Sequence, residues 1–162
     1  MNVTKMFQMQ KELDDRIRKE HGLMDEDLID KKILAFQVEL AELANETRCF
    51  KYWSLKPPSD RAVILEEYVD GLHFLLSIGL ETSTTNVLDE SFNQEKVSLT
   101  DQFATLFEVT SQFRKTKSEK QLSILFQQYI YLGSLLHFTI LEIETAYVGK
   151  NEVNHERQDK GY

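Results

Sequence analysis

Apolar residues recur at steps of three and four along most of the chain, and that period predicts helices. The first covers about Val3 to Glu20, with Met6, Met9, Leu13 and Ile17 on one side and Gly22 at its end. The second runs over about 27–50, with Ile33, Phe36, Leu40, Leu43 and Thr47 in line. Two prolines make 52–58 a loop, because neither can continue a helix. Ser59 then reads as the N-cap of a third helix that reaches about Glu81. The polar stretch 82–98 reads as a connection. Thr100 caps a fourth helix with Phe103, Leu106, Phe107, Thr110 and Phe113 on one stripe. Ser118 opens a fifth, long helix through Ile124, Phe126, Ile130, Leu135, Phe138, Leu141 and Tyr147.

The pattern therefore predicts an all-α fold, a bundle of about five main helices in one domain spanning 1–162. The third helix carries Leu72, Phe74, Leu75, Leu76, Ile78 and Leu80 on more than one face. A single small bundle leaves too few inside positions for all of them, so a homodimer is expected to bury the remainder.

Composition narrows the function. Only two prolines and six glycines interrupt 162 residues, which agrees with helices throughout. The formal net charge of −8 argues against a partner held by a long phosphate backbone, so no nucleic-acid polymer is expected. A nucleotide remains possible where metal ions reverse the local charge. The single cysteine, Cys49, excludes an internal disulfide and fits a reducing compartment. The first fifteen residues lack the apolar core of a signal peptide, and no apolar run reaches the length of a membrane span. A cytoplasmic protein without a membrane partner is the expectation.

Two acid pairs carry the chemistry. The second helix holds Glu39 and Glu42, and the third holds Glu67 and Asp70. Residues three apart lie on neighbouring turns of one helix face, so each pair can aim at one spot. Both pairs are embedded in apolar sequence, where like charges repel and lose hydration. A hard divalent cation compensates both costs, and Mg²⁺ commonly shares its shell with substrate phosphates. A lone pair of this kind usually lies on a solvated face; two on consecutive helices are a more specific signal. The further acids Glu46, Glu66 and Glu81 read as surface charges. The histidines form no metal-ligand spacing, and His73 and His137 read as structural.

These pairs, with Phe50–Ser54 (FKYWS), Tyr68–Glu81 (YVDGLHFLLSIGLE) and the tail Lys150–Tyr162 (KNEVNHERQDKGY), resemble the all-α nucleoside triphosphate pyrophosphohydrolases. Within that superfamily the chain is most similar to the dimeric all-α dUTPases. The resemblance implies an intertwined homodimer around a four-helix metal-binding core. It implies Mg²⁺ held by Glu39, Glu42, Glu67 and Asp70, with Glu39 or Glu42 as the catalytic acid that orients the attacking water. It implies that dUTP, and dUDP through attack on the β-phosphate, yield dUMP. Lys150, Asn154 and Arg157 share one face if the last helix continues past Gly149, and the resemblance assigns them to phosphate. A frayed tail is the plain alternative.

For the base and sugar, the resemblance points to Gln10 and Asp14 on the first helix, Trp53 in the loop and Phe74 one turn beyond Asp70. By periodicity alone Phe74 is a core residue and Trp53 a plug on the bundle end. Asp14 is a departure, since asparagine often stands at the matching position. Two alternatives to dUTP hydrolysis remain at this level. One is a related pyrophosphohydrolase acting on dCTP or a non-standard nucleotide. The other is a non-catalytic helical partner-binding protein, which the four intact acids disfavour.

Overall fold

The computed structural model describes residues 1–85, 87 and 96–161. They form six α-helices: α1 (Val3–Glu20), α2 (Ile29–Thr47), α3 (Arg61–Glu81), α4 (Leu99–Thr116), α5 (Glu119–Leu135) and α6 (Ile140–Asp159). No strand occurs among the described residues. Part of the predicted connection 82–98 lies outside them.

The α2 stripe behaves as its period requires, for Ile33, Phe36, Leu40, Leu43 and Thr47 are all buried. α3 packs against α1, α2, α5 and α6. That central position explains its apolar residues on several faces. Leu72, Leu75, Leu76 and Ile78 are buried within the chain itself, so their burial does not call for a second copy.

One expected helix is two. The predicted fifth helix stops at Leu135 and restarts at Ile140 after a turn of 110°. His137 takes a left-handed φ of 59°. Thr139 and Glu142 then form a capping box: the Glu142 amide donates to Thr139 Oγ1 at 3.2 Å, and the Thr139 amide donates to Glu142 Oε2 at 2.7 Å. Arg61 of α3 clamps the corner by donating to the carbonyls of Leu136 and His137 and to Glu142. Leu141, assigned to the continuous apolar stripe, is 73% exposed as a result. The break swings α6 back over α3 and α1.

Smaller shifts concern caps. Asp60 rather than Ser59 precedes α3, and the Ser59 hydroxyl instead donates to Glu46. Ser98 rather than Thr100 caps α4, accepting from the Asp101 amide at 3.1 Å.

Candidate active site

Where α2 and α3 run side by side, three carboxylates meet. Oxygens of Glu39, Glu67 and Asp70 all lie within 4.8 Å of one another. Glu42, one turn beyond Glu39, is exposed and outside this trio, although its charge acts on both Glu39 and Glu67. Burial, then the charges of Asp70, Glu42 and Glu67, push the Glu39 carboxyl up to about 7. Burial, reinforced by Asp70 and Glu42, also raises Glu67. Asp70 is raised by burial despite a hydrogen bond from Lys150. Clustered, half-buried oxygen donors that resist ionisation together fit a hard divalent cation, which would neutralise all three.

A side-chain cation already meets these acids. Lys150 Nζ donates to Asp70 Oδ2 at 2.7 Å and to Glu66 Oε1 at 2.9 Å. Burial works against its charge, but the two carboxylates outweigh that and raise its pKa. α6 continues through Gly149 to Asp159, so Lys150, Asn154 and Arg157 do share a face. All three line a cavity of about 390 Å³ that also takes in Glu39, Asp70 and Phe74. The α5–α6 corner is what brings this face opposite the acids.

The far end of the cavity is a built polar network. Gln10, only 4% exposed, donates from Nε2 to Asp14 Oδ1 at 2.8 Å. Its Oε1 accepts from the Tyr147 hydroxyl at 3.0 Å and from His73 Nδ1 at 2.8 Å. The His73 ring stacks on Tyr147 at 4.2 Å, and burial lowers its pKa to about 3, so it stays neutral. Asp14 Oδ2 accepts from Lys32 Nζ at 2.9 Å and from the Ser77 hydroxyl. Lys32 also donates to Glu81 at 2.6 Å, and Glu81 accepts from Arg18 at 2.6 Å. Glu81 is therefore no surface charge: its side chain is 16% exposed, and Lys32 and Arg18 lower its pKa against the effect of burial.

The structure thus brings together Gln10, Asp14, Glu39, Asp70, Phe74, Lys150, Asn154 and Arg157 in one cavity, with Glu67 beside it. Trp53 stands apart. It is 64% exposed, packs edge-on against Phe50 and Tyr52, and does not line the cavity. Its loop is held by Arg48, which donates to Ser54 Oγ at 2.6 Å and to the Lys56 carbonyl at 3.0 Å. Lys32, Ser77, Arg18 and Tyr147 were not singled out from sequence, because their link to the site is made by contacts between helices.

A comparison with curated proteins finds no match. Comparison with protein families does: the family model described as dUTPase matches residues 2–162. With that match over essentially its whole length, the chain belongs to the dUTPase family and is a dUTP diphosphatase.

Proposed function

We propose that the chain hydrolyses both dUTP and dUDP, with Mg²⁺ held by Glu39, Glu67 and Asp70 and with Glu42 at the rim of the same site. The observation that carries this reading is the convergence of Glu39, Glu67 and Asp70, with Glu39 and Asp70 lining the same cavity as Lys150, Asn154, Arg157 and the Gln10–Asp14 network. Bound Mg²⁺ supplies Lewis acidity toward the phosphate oxygens and screens the carboxylates from them. Lys150, Asn154 and Arg157 line the cavity beside the acids, where the ammonium, the amide and the guanidinium would donate hydrogen bonds to the phosphate oxygens. Glu39 or Glu42 orients the attacking water.

The base fits the far end. Gln10 has one amide hydrogen left after its bond to Asp14, and Asp14 Oδ1 has one lone pair left. An adjacent N–H donor and oxygen acceptor match the O2 and N3–H of uracil. Phe74, half-buried one turn beyond Asp70, offers a ring face to the nucleoside between base and phosphates.

Hydrolysis in ¹⁸O-labelled water tests this reading. Attack on the β-phosphorus of dUTP puts the label on pyrophosphate and leaves the bridging oxygen on unlabelled dUMP. dUDP then gives labelled phosphate and unlabelled dUMP by the same bond cleavage. Label on dUMP, or inert dUDP, would contradict the arrangement proposed here.

A further inference from the structure

Asp14 is a carboxylate at the end of a substrate cavity, with its side chain only 13% exposed. Its freedom is nearly used up. Oδ2 accepts from both Lys32 and Ser77, and a carboxylate oxygen takes about two such bonds. Oδ1 accepts from Gln10 and keeps one open lone pair. Gln10 is pinned in turn, since its Oε1 is filled by Tyr147 and His73. Turning the Gln10 amide over would set its oxygen against Asp14 Oδ1. The cavity end therefore shows a ligand one N–H and one lone pair in fixed order.

Lys32, itself on the cavity wall, holds that order through its ion pair with Asp14. It bridges Asp14 of α1 and Glu81 at the end of α3, while itself standing on α2. Arg18 secures Glu81 at 2.6 Å and donates to the carbonyls of Leu23 and Glu26 at 2.9 and 3.2 Å. Arg18, Glu81, Lys32 and Asp14 thus form a chain of alternating charge across three helices, two positive and two negative. Among the described residues, none of these four side chains is ion-paired with Glu39, Glu67 or Asp70.

We propose that Lys32 is a specificity-determining positioning residue. By fixing Asp14 as an acceptor-only group in one orientation, it makes the cavity select a pyrimidine that carries N–H at ring position 3. This inference rests on the base-pocket reading given above. With the register set by the phosphates, uracil N3–H donates to Asp14, whereas cytosine N3 turns a lone pair on the carboxylate. A site built to pair with an N–H rejects an analogue lacking it more strongly than shape alone can. Once Lys32 is lost, Oδ2 is unanchored and the open lone pair of Oδ1 turns away from N3–H, so the uracil ligand suffers most.

Binding of dUMP and dCMP to Lys32→Met, measured by calorimetry, tests this beside steady-state kinetics on dUTP. The dissociation constant for dUMP is expected to rise about tenfold, the effect of one lost hydrogen bond. That for dCMP should move less than about twofold, and KM for dUTP should rise with kcat little changed. Lys32→Arg, which keeps a donor cation, should restore most of the preference. Glu81→Gln loosens Lys32 without touching Asp14 and should lower the preference in the same direction, which keeps the test available if Lys32→Met does not fold. Equal losses for dUMP and dCMP, or an unchanged preference, would overturn the role of Lys32. A wild-type protein that hydrolyses dUTP yet binds dUMP no better than dCMP would instead overturn the base-pocket reading beneath it.

Discussion

Glu39→Gln is expected to reduce dUTP turnover by about 10²–10⁴-fold, the range for a positioned acid–base or electrostatic group. The same change should raise the melting temperature of the metal-free protein at pH 8. The two effects share one cause. Burial, then the neighbouring acids, push the Glu39 carboxyl up to about 7 from its ordinary value of 4.5. The folded state therefore holds its proton more tightly than the unfolded chain. Ionised Glu39 costs stability progressively as pH rises through that window, and the whole cost is present above about 7. Glutamine escapes that cost at pH 8 and gains nothing at pH 4, where the wild-type carboxyl is already neutral. Divalent metal should reverse the ranking. It stabilises wild type at pH 8 more than at pH 6, because binding must first displace the proton, and it stabilises the variant far less. Thermal melts at both pH values, with and without Mg²⁺, read all of this. A variant less stable than wild type at pH 8 in the absence of metal would show that Glu39 is not a strained carboxylate.

Gly71→Ala is expected to cost about 3 kcal/mol, in the upper part of the range for an overpacked core, and so to lower the melting temperature by about 6–12 °C. Gly71 sits mid-helix in α3, where glycine is about 1 kcal/mol less favourable than alanine. Its absent side chain is required by α5. A Cβ there would lie 2.1 Å from the Tyr129 hydroxyl. That hydroxyl donates to the Tyr68 carbonyl at 2.7 Å, while the Tyr68 hydroxyl donates to the Tyr129 carbonyl at 3.3 Å beside Gly133. The two rings stack at 4.8 Å, and both are fully buried. Tyr129 cannot yield without breaking this reciprocal pair. Because Gly71 follows Asp70, the displaced helix should also weaken metal binding, which calorimetry with Mg²⁺ would detect. Wild-type stability in Gly71→Ala would mean that Tyr129 does not press on α3.

Much of this was legible in the sequence, for a physical reason. Where a helix has one buried face, its period is written in side-chain type, and the α2 stripe was placed residue for residue. Three of the four acids, Glu39, Glu67 and Asp70, converge as their spacing allows, whereas Glu42 shares the face of Glu39 yet stays exposed outside the trio. The α5–α6 corner was not placed, because apolar residues continue on both sides of it. The local signal was there in Thr139 and Glu142, which have capping-box spacing, but the apolar period concealed it. The Lys32–Asp14–Ser77 contacts could not be read at all, since they depend on how α1, α2 and α3 are rotated against one another. Glu81 was misassigned for the same reason: nothing local distinguishes a charge at a helix end that meets water from one that meets two cations. Trp53 shows the converse, a side chain drawn toward the site by resemblance and found 64% exposed on a loop outside the cavity.

The central claim is that this cavity hydrolyses a uracil nucleotide with the help of a divalent metal held by the carboxylates. A panel of dUTP, dCTP, dTTP and UTP, assayed for pyrophosphate release with Mg²⁺ and with chelator, tests it most directly. Rapid release from dUTP that chelator abolishes, with dCTP turned over far more slowly, is the predicted result. Release from dCTP with none from dUTP, or release that persists in chelator, would contradict it.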